Sequence, residues 1–418
     1  MPEDIDNLEV KEDHQAPVWA RSDAFSEKPS GSPEAGVFSL YGFLDVKGNE
    51  LRAESASELC DKVGTSKHSL DLVWGPDAEY LVAPEELVEL RPKLWERRSK
   101  WARNDIYNGR QICIVFGLMA LYSLYNAYRV TGDVLVSLQN PTVGVIGILM
   151  LIFGLVPLYN GWKVLRKGKP ASEEDWQVEV AESRFDSWLS KQNTPVTSAL
   201  VVVMIIVGVA QLYLERSTNW TGNGAGQSVL KAGLFKNEFG SVGSEWWRFL
   251  TGPLLHGNVL HWVMNAAAIR YLGKRVESLA RWPHVIIVMV FSAGVAGYFT
   301  FKMVDSPSVG ASGGIMGLLG FLLVFELLHK KLVPKPTRRR LIAGVVVTAL
   351  MGVLGFHFID NAAHLGGLVA GMVYAGAIFP PSKSPHRPRI MKQDRLIAVL
   401  AGAVIVLGLG IVLVKLFG

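Results

Sequence analysis

Nine apolar segments, separated by polar loops, constrain the fold of this chain more than any other feature of its sequence. Most approach the roughly 20 residues that an α-helix needs to cross the hydrocarbon core of a bilayer. Half of the 418 residues are hydrophobic and only 19% are charged, which is typical of an integral membrane protein. The segments span residues 111–128, 142–162, 196–214, 261–272, 285–301, 312–328, 341–356, 363–379 and 396–416.

The basic residues predict how these segments are oriented. They cluster in alternate loops, at 91–110, 163–169, 274–281, 330–340 and 383–395, and such loops stay on the cytoplasmic side of a membrane. No apolar signal peptide precedes the first segment. We therefore expect a multi-pass protein of a bacterial inner (plasma) membrane, with a cytoplasmic N-terminus. The lipid bilayer explains the net charge of +5 better than a nucleic acid does.

The first 194 residues are predicted to form four parts, whose roles the sequence leaves open. Alternating apolar residues at 38–44 suggest a strand, which is followed by a helix at 53–63 and a hairpin at 70–82. The predicted parts are a disordered tail (1–36), a small α+β cytoplasmic module (37–90), a basic linker with two extra transmembrane helices (91–170) and a cytoplasmic linker helix (171–194).

A serine lies among glycines at 309–317, where a loop turns into a hydrophobic helix. Taken alone, this stretch favours capping or packing by Ser312 over catalysis, because serine commonly caps helices. The topology changes that balance, since it puts Ser312 and His364 at the outer ends of two spans. Gly367 and Gly371 give the second span a face of small residues, so the two helices can approach until Ser312 and His364 hydrogen-bond. The alternative for His364 is a polar packing group.

Three further polar residues fall at the same outer level: His256, His261 and Asn265. His261 and Asn265 are four residues apart, so they share one helical face and can together stabilise an oxyanion. A metal site is the competing interpretation of the two histidines. It is disfavoured because no Glu lies between them, their spacing does not align them, and no Cys is near. We predict no metal and no cofactor.

These motifs, in this order, resemble those of the rhomboid family of intramembrane serine proteases, over about residues 195–416. The matching elements are E-x-W-R at Glu245-Trp246-Trp247-Arg248, H-x4-H-x3-N at His256, His261 and Asn265, G-x-S-G at Gly310-Ala311-Ser312-Gly313, and A-H-x2-G-x3-G at Ala363, His364, Gly367 and Gly371. The resemblance implies an all-α polytopic membrane protein. A rhomboid-like six-helix core (195–380) would be followed by a cytoplasmic loop and a C-terminal span (381–418).

The resemblance also implies roles for individual residues. Ser312 would be the nucleophile and His364 the general base of a dyad, without an aspartate. His261, Asn265 and the Ser312 backbone N–H would form the oxyanion hole. Asp360 is expected to be a loop or helix-cap acid. The supporting residues would be His256, Gly310, Gly313, Trp247, Arg248, Gly367 and Gly371, while Met316 departs from the aromatic residue that the family commonly has four positions after the nucleophile.

Two other functional classes remain open on sequence grounds. A catalytically inactive rhomboid-like protein that binds membrane clients would typically lack the serine or the histidine, and both are present. A transporter would place its polar residues near the bilayer midplane, whereas these fall at the outer end of the spans. The favoured function is therefore proteolysis of single-span membrane proteins near the outer leaflet.

Overall fold

The computed structural model describes residues 16–29, 40–66, 68–217, 226–235 and 243–418. Two compact units make up the chain: Met1–Lys191 together with Val346–Ile359, and Gln192–Val345 together with Asp360–Gly418. Almost all regular structure is α-helical, apart from a three-stranded sheet near the N-terminus. The predicted all-α polytopic fold with a small α+β module is thus confirmed.

The sheet of the first unit is antiparallel, with β1 (Tyr41–Asp45) between β2 (Glu50–Ala53) and β3 (Leu70–Trp74). Helix α1 (Ala56–Thr65) is capped by Ser55 and covers the sheet. The core between them contains Phe43, Leu59, Val63, Val73 and Leu90. The predicted hairpin at 70–82 is reduced to β3 and a single bridge between Val73 and Val82.

Helix α5 (Glu173–Lys191), predicted to be a linker, packs against this module and buries Trp176, Val180, Phe185 and Trp188. Residues 16–29, predicted to belong to a disordered tail, join the same core. The Trp19 ring lies edge-on to Phe185 with 5.9 Å between centroids, and Arg184 donates to the Trp19 carbonyl at 3.2 Å. The prediction of disorder was based on the polar composition of residues 1–36 as a whole, which does not reveal that Trp19 and Phe25 are buried. The rest of the predicted tail lies outside the described residues.

A single long helix, α2 (Arg91–Thr131), contains both the basic stretch and the first apolar segment. Three of its arginines bind the α+β module and α5. Arg91 makes a bidentate pair with Glu173 at 2.5 and 2.9 Å, and Arg98 donates to Glu179 at 2.7 Å. Arg97 donates to the backbone carbonyls of Val63 and His68. Only the later basic residues, such as Lys100, Arg103 and Arg110, stay exposed.

Six helices in the described part of the chain are long and apolar enough to span a membrane, so the protein is a multi-pass integral membrane protein. These are Val88–Thr131, Pro141–Lys167, Pro195–Ser217, Trp282–Met303, Asn361–Ile378 and Lys392–Phe417. The segment Ser312–Leu328 is apolar but shorter. The other two predicted spans, 261–272 and 341–356, are helical but are not both long and apolar enough. The first is interrupted by a π-helical turn at Ile269–Gly273, and the helix of the second begins with the basic residues of 335–340.

The remaining helices are named in chain order. In the first unit, α3 is Val134–Leu138 and α4 is Pro141–Lys167, which includes a π-helical turn. In the second unit they are α6 (Pro195–Ser217), α7 (Gln227–Ala232), α8 (Arg248–Thr251), α9 (Val259–Ala268), α10 (Lys274–Ala280), α11 (Trp282–Met303), α12 (Ser312–Leu328), α14 (Asn361–Ile378) and α15 (Lys392–Phe417). Helix α13 (Lys335–Leu354) contributes to both units.

Buried polar contacts fix the helices of the second unit. Arg275 of α10 and Glu326 of α12, each 1% exposed, form a bidentate ion pair at 2.6 and 2.8 Å. Glu277 accepts from the backbone N–H groups of Val196 and Thr197, and so satisfies the free amides at the start of α6. Helix α15 also packs on this unit, where Val412 and Leu416 share a core with residues of α6.

Candidate active site

Ser312 is the first residue of α12, and the cap position belongs to Ala311, which makes no side-chain capping bond. Ser312 therefore does not have the helix-capping role that this stretch, taken alone, favours. Ser312 is half-buried, whereas the residues that follow it on α12 are almost all buried. Its backbone N–H belongs to the first turn of the helix, where amides lack intrahelical acceptors. Both the hydroxyl and this amide are thus placed at the end of a fixed helix.

Gly310, two residues before Ser312, brings the loop against the polar face of α9. Its φ of +130° is one that side-chain-bearing residues rarely adopt. A Cβ at this position would lie 2.6 Å from His261 Cε1 and 3.4 Å from Asn265 Nδ2. The Gly310 N–H also donates to the carbonyl of Gly252 at 3.0 Å. Only glycine therefore allows this contact between the serine loop, His261 and Asn265.

The predicted oxyanion residues lie on α9, whose start is capped by Asn258 accepting from the His261 N–H at 2.9 Å. Asn265 is 7% exposed, and its Nδ2 has no hydrogen-bond partner among the described residues. A buried amide left unpaired costs about 1–3 kcal/mol. Such a donor beside the serine loop is suited to a developing negative charge.

His256 lies just before α9, with its ring edge-on to that of His261 and 5.2 Å between centroids. Both His256 ring nitrogens are buried without a partner among the described residues. The described part of the chain contains no group of three or more His, Cys, Asp or Glu side chains arranged to hold a metal ion. The observed contact between the two histidines is the edge-to-face contact of their rings.

Gln211, on α6, holds the backbone of His256 in place. The sequence alone did not predict this role. The His256 backbone N–H donates to Gln211 Oε1 at 3.0 Å, and Gln211 Nε2 donates to the His256 carbonyl at 3.1 Å. Gln211 Nε2 also donates to Ser228 Oγ at 3.0 Å. The signal available in the sequence was an amide within an otherwise apolar span, which is a functional candidate by default.

Helices α12 and α14 approach each other through glycine. A Cβ on Gly367 would overlap the carbonyl oxygen of Gly313, and a Cβ on Gly371 would overlap that of Gly317. At the N-terminal end, a Cβ on Gly313 would lie 3.7 Å from the carbonyl oxygen of Ala363. The first turns of the two helices, which carry Ser312 and His364, therefore lie side by side.

Asp360 connects the ends of three elements. It caps α14 by accepting from the Ala363 N–H at 2.8 Å, so the predicted capping role is confirmed. Its other carboxylate oxygen accepts from Thr300 Oγ1 at 2.5 Å and from Ser308 Oγ at 2.7 Å. Ser308 also forms an isolated antiparallel bridge with Leu234. One carboxylate thus ties the serine loop to the helix that carries His364.

The predicted supporting residues Trp247 and Arg248 organise the neighbouring loop. Arg248, 5% exposed, donates to Glu245 at 2.9 Å and to the carbonyl of Gly233 at 2.7 Å. Its guanidinium lies over the rings of Trp247 and Phe235. It therefore anchors the chain that follows α7. Met316, at the position where the family commonly has an aromatic residue, is buried one turn after Ser312.

Replacing Gly310 by alanine is expected to lower the catalytic activity of this candidate site about 100-fold, because a displacement near 1 Å in this loop misplaces the reacting groups. The added Cβ would strain the backbone at φ +130° and press on His261. Gly257→Ala is the matched control, since among the described residues the added Cβ would approach only Val309, at 4.0 Å. The kcat/KM of both variants is measured on a single-span substrate. Equal activities would contradict this assignment of the loop.

A family comparison identifies the part of the chain that carries this geometry. Residues 243–381 match the model of the Rhomboid domain. This part of the chain belongs to the rhomboid family. The stretch of the rhomboid match contains α9, the serine loop and the start of α14, and with them all the residues assigned above from the family resemblance.

Several rhomboid relatives have similar sequences. The Rhomboid protease GluP of Bacillus subtilis (strain 168) is 32% identical over 163 residues, which cover 38% of this chain and 31% of the relative. The RHOMBOID-like protein 6, mitochondrial, of Arabidopsis thaliana is 32% identical over 131 residues, or 31% of this chain and 42% of the relative. The Rhomboid protease GlpG of Photorhabdus laumondii subsp. laumondii is 28% identical over 195 residues, or 45% of this chain and 63% of the relative. The chain thus spans less than two thirds of the length of each of these three.

Proposed function

We propose that this chain is an intramembrane serine endopeptidase that cleaves transmembrane-helix substrates through a dyad of Ser312 and His364. The observation that carries the proposal is the glycine contact between α12 and α14, which sets the turns carrying Ser312 and His364 against each other. His261 and Asn265 lie against the loop that leads into Ser312. Nucleophile, base and anion-stabilising donors are then supplied by three helices around one point.

In the proposed reaction, the Ser312 hydroxyl attacks the scissile carbonyl carbon while His364 takes the hydroxyl proton. The resulting tetrahedral intermediate collapses to an ester on Ser312, and His364 passes the proton to the leaving amine. A water molecule, deprotonated by His364, then attacks the ester, and the serine regains its proton as the new carboxyl product leaves. Asp360 serves this sequence by holding the serine loop and the start of α14 together.

The negative charge that forms on the carbonyl oxygen needs donors that are already in place. Asn265 Nδ2 suits this role because it is buried and has no partner among the described residues. The backbone N–H of Ser312 and the His261 ring are the other proposed donors. In a site with few competing waters, such fixed donors contribute more than they do in bulk water.

The proposed substrates are single-span membrane proteins. Their span is cut near the outer leaflet, on the side of the membrane opposite the basic loops of this chain. A peptide bond inside a lipid-facing helix is protected by the hydrogen bonds of that helix. The substrate therefore needs glycine or another weak helix former close to the cleavage site, so that the carbonyl can leave the helix and reach Ser312.

Asn265→Asp tests the anion-binding role, because it keeps the size of the side chain while replacing the amide donor by an acceptor. We expect kcat to fall by about 100- to 1,000-fold, with KM changed little, since the lost bond forms mainly in the transition state. The measurement is steady-state cleavage of a single-span substrate by the purified protein in liposomes. A change confined to KM would assign Asn265 to substrate binding instead.

A further inference from the structure

The first unit contains a cleft whose lining residues, apart from His357, lie outside the rhomboid match. The cleft has a volume of about 860 Å³ and lies between the C-terminal part of α2, the short helix α3 and the start of α4, with His357 contributing to its wall. Its lining residues are Met119, Tyr122, Ser123, Asn126, Ala127, Val130, Thr131, Val136, Gln139, Asn140, Pro141, Thr142, Ile146 and His357.

The cleft exists because α2 and α4 are close at one end and separated at the other. Near the basic end, Gly154 meets Gly109 and Cys113, and Gly161 meets Ala102. At the opposite end, α3 is inserted between the two spans. Asp133 caps α3, and the hydroxyls of Thr131 and Ser137 hydrogen-bond at 2.8 Å. The opening is therefore a built feature of the connection and not a loosely packed surface.

One wall of the cleft is a continuous face of α2. Met119, Tyr122, Asn126 and Val130 follow one another at intervals of three or four residues, and Ser123 lies next to Tyr122. Residues with this spacing lie above one another on a helix, and these cover about 17 Å of its length. A second helix lying along such a ridge can interlock its side chains with it.

The polar groups of the lining are hydroxyls, amides, a phenol and one imidazole. Among the described residues, the lining includes no Lys, Arg, Asp or Glu. A phosphate headgroup needs a cationic partner that this lining does not supply. Asn126 is exposed on this face about 8 Å from the last residue of the helix, where an amide in a membrane requires a hydrogen-bonding partner. The cleft therefore suits an uncharged, helical occupant with its own polar side chain or small residues.

We propose that this cleft binds the transmembrane helix of a protein substrate, which packs along the Met119–Val130 face of α2 and hydrogen-bonds to Asn126. The inference rests on the proposed protease function for the identity of the partner. Binding in the cleft holds the substrate on the enzyme, so the cleft affects KM and leaves the chemical step unchanged.

The test compares Asn126→Leu and Ser123→Leu with the unmodified full-length protein in liposomes. Two substrates are used: a single-span protein, and a short fluorogenic peptide without a transmembrane segment. Both variants are expected to raise KM for the single-span substrate by about three- to tenfold, the range of one interhelical hydrogen bond in a membrane. The kcat, and cleavage of the peptide, should not change. Tyr125→Leu is the control, because Tyr125 is exposed on α2 outside the cleft.

An unchanged KM in both cleft variants, or an equal effect of Tyr125→Leu, would overturn the proposal. A photo-reactive residue at position 119 separates this proposal from the proposed function, because cross-linking does not require cleavage. In a Ser312→Ala background it is expected to cross-link to the single-span substrate. Cross-links to lipid alone would assign the cleft to lipid and overturn the inference. Cross-linking to the substrate without any cleavage by the unmodified protein would support the cleft while contradicting the protease.

Discussion

Ser312→Ala is expected to abolish cleavage of a single-span substrate, with a loss of about 10⁴-fold or more in kcat. The hydroxyl is the only group of the proposed site that forms a bond to the substrate, and no neighbouring side chain replaces it. His364→Ala is expected to cost a comparable factor, because an unactivated hydroxyl is a weak nucleophile at neutral pH. The double variant should be no less active than either single one, since the two residues act as a unit. Cleavage is followed in liposomes by the appearance of the product fragments.

Ser306→Ala is the matched control for this loss, because Ser306 is an exposed hydroxyl in the same loop, six residues before Ser312. It should retain full activity. Cleavage that persists in Ser312→Ala would contradict the dyad, as would additive losses in the double variant.

The second large effect is expected from Gly367→Ala on α14. The added methyl group would overlap the Gly313 carbonyl oxygen, so the two helices must separate where they carry Ser312 and His364. We expect activity to fall by at least about 100-fold, because dyad geometry is lost before the fold is. Overpacking at a tight contact also lowers the free energy of unfolding by about 1–3 kcal/mol. Activity and the thermal unfolding midpoint are measured on the same preparation.

Gly376→Ala, on the same helix, tests whether this effect comes from the contact and not from the substitution itself. A Cβ at position 376 would lie 4.0 Å from Val324, an ordinary contact distance. Because alanine favours a helix more than glycine does, this variant should be as stable as the unmodified protein or slightly more so. Equal activity losses in Gly367→Ala and Gly376→Ala would show that close helix approach is not the cause.

The polytopic fold could be predicted from the sequence because hydrocarbon leaves a spanning chain few options. A segment such as 196–214 must form a helix to satisfy its backbone, and basic loops restrict the direction of each crossing. The glycines at 367 and 371 likewise predicted a close helix contact, which the structure contains. Local pattern was sufficient in these cases because an apolar run marks a span, and small residues four apart mark a face for close helix contact, whatever partner the helix meets.

The side-chain hydrogen bonds that hold the site together could not be predicted from such patterns, since they join particular residues far apart in the chain. Thr300 and Ser308 converge on Asp360 only when α11, the serine loop and α14 are assembled. Gln211 reaches the His256 backbone across 45 residues of sequence. Similarly, Arg184 binds the Trp19 carbonyl across 165 residues, so a segment predicted to be disordered belongs to a folded module. Their residue types alone did not indicate these partners.

The glycines of this site have two separate physical roles. Gly310 supplies a backbone conformation that leaves room for His261 and Asn265 beside the serine loop. Gly367 and Gly371 remove side chains from the helix interface, which allows backbone to meet backbone inside the membrane. A serine placed at the start of a buried helix thereby gains neighbours from two other helices.

Labelling with a serine-reactive fluorophosphonate tests the central claim most directly, because it needs no knowledge of the natural substrate. We expect the reagent to modify Ser312, as located by peptide mass spectrometry, and to stop reacting when His364 is replaced by alanine. Ser292 is the informative alternative, because its buried hydroxyl, close to Gly317, has no partner among the described residues. Labelling at Ser292, or labelling of Ser312 that is unaffected by His364→Ala, would contradict a dyad of Ser312 and His364.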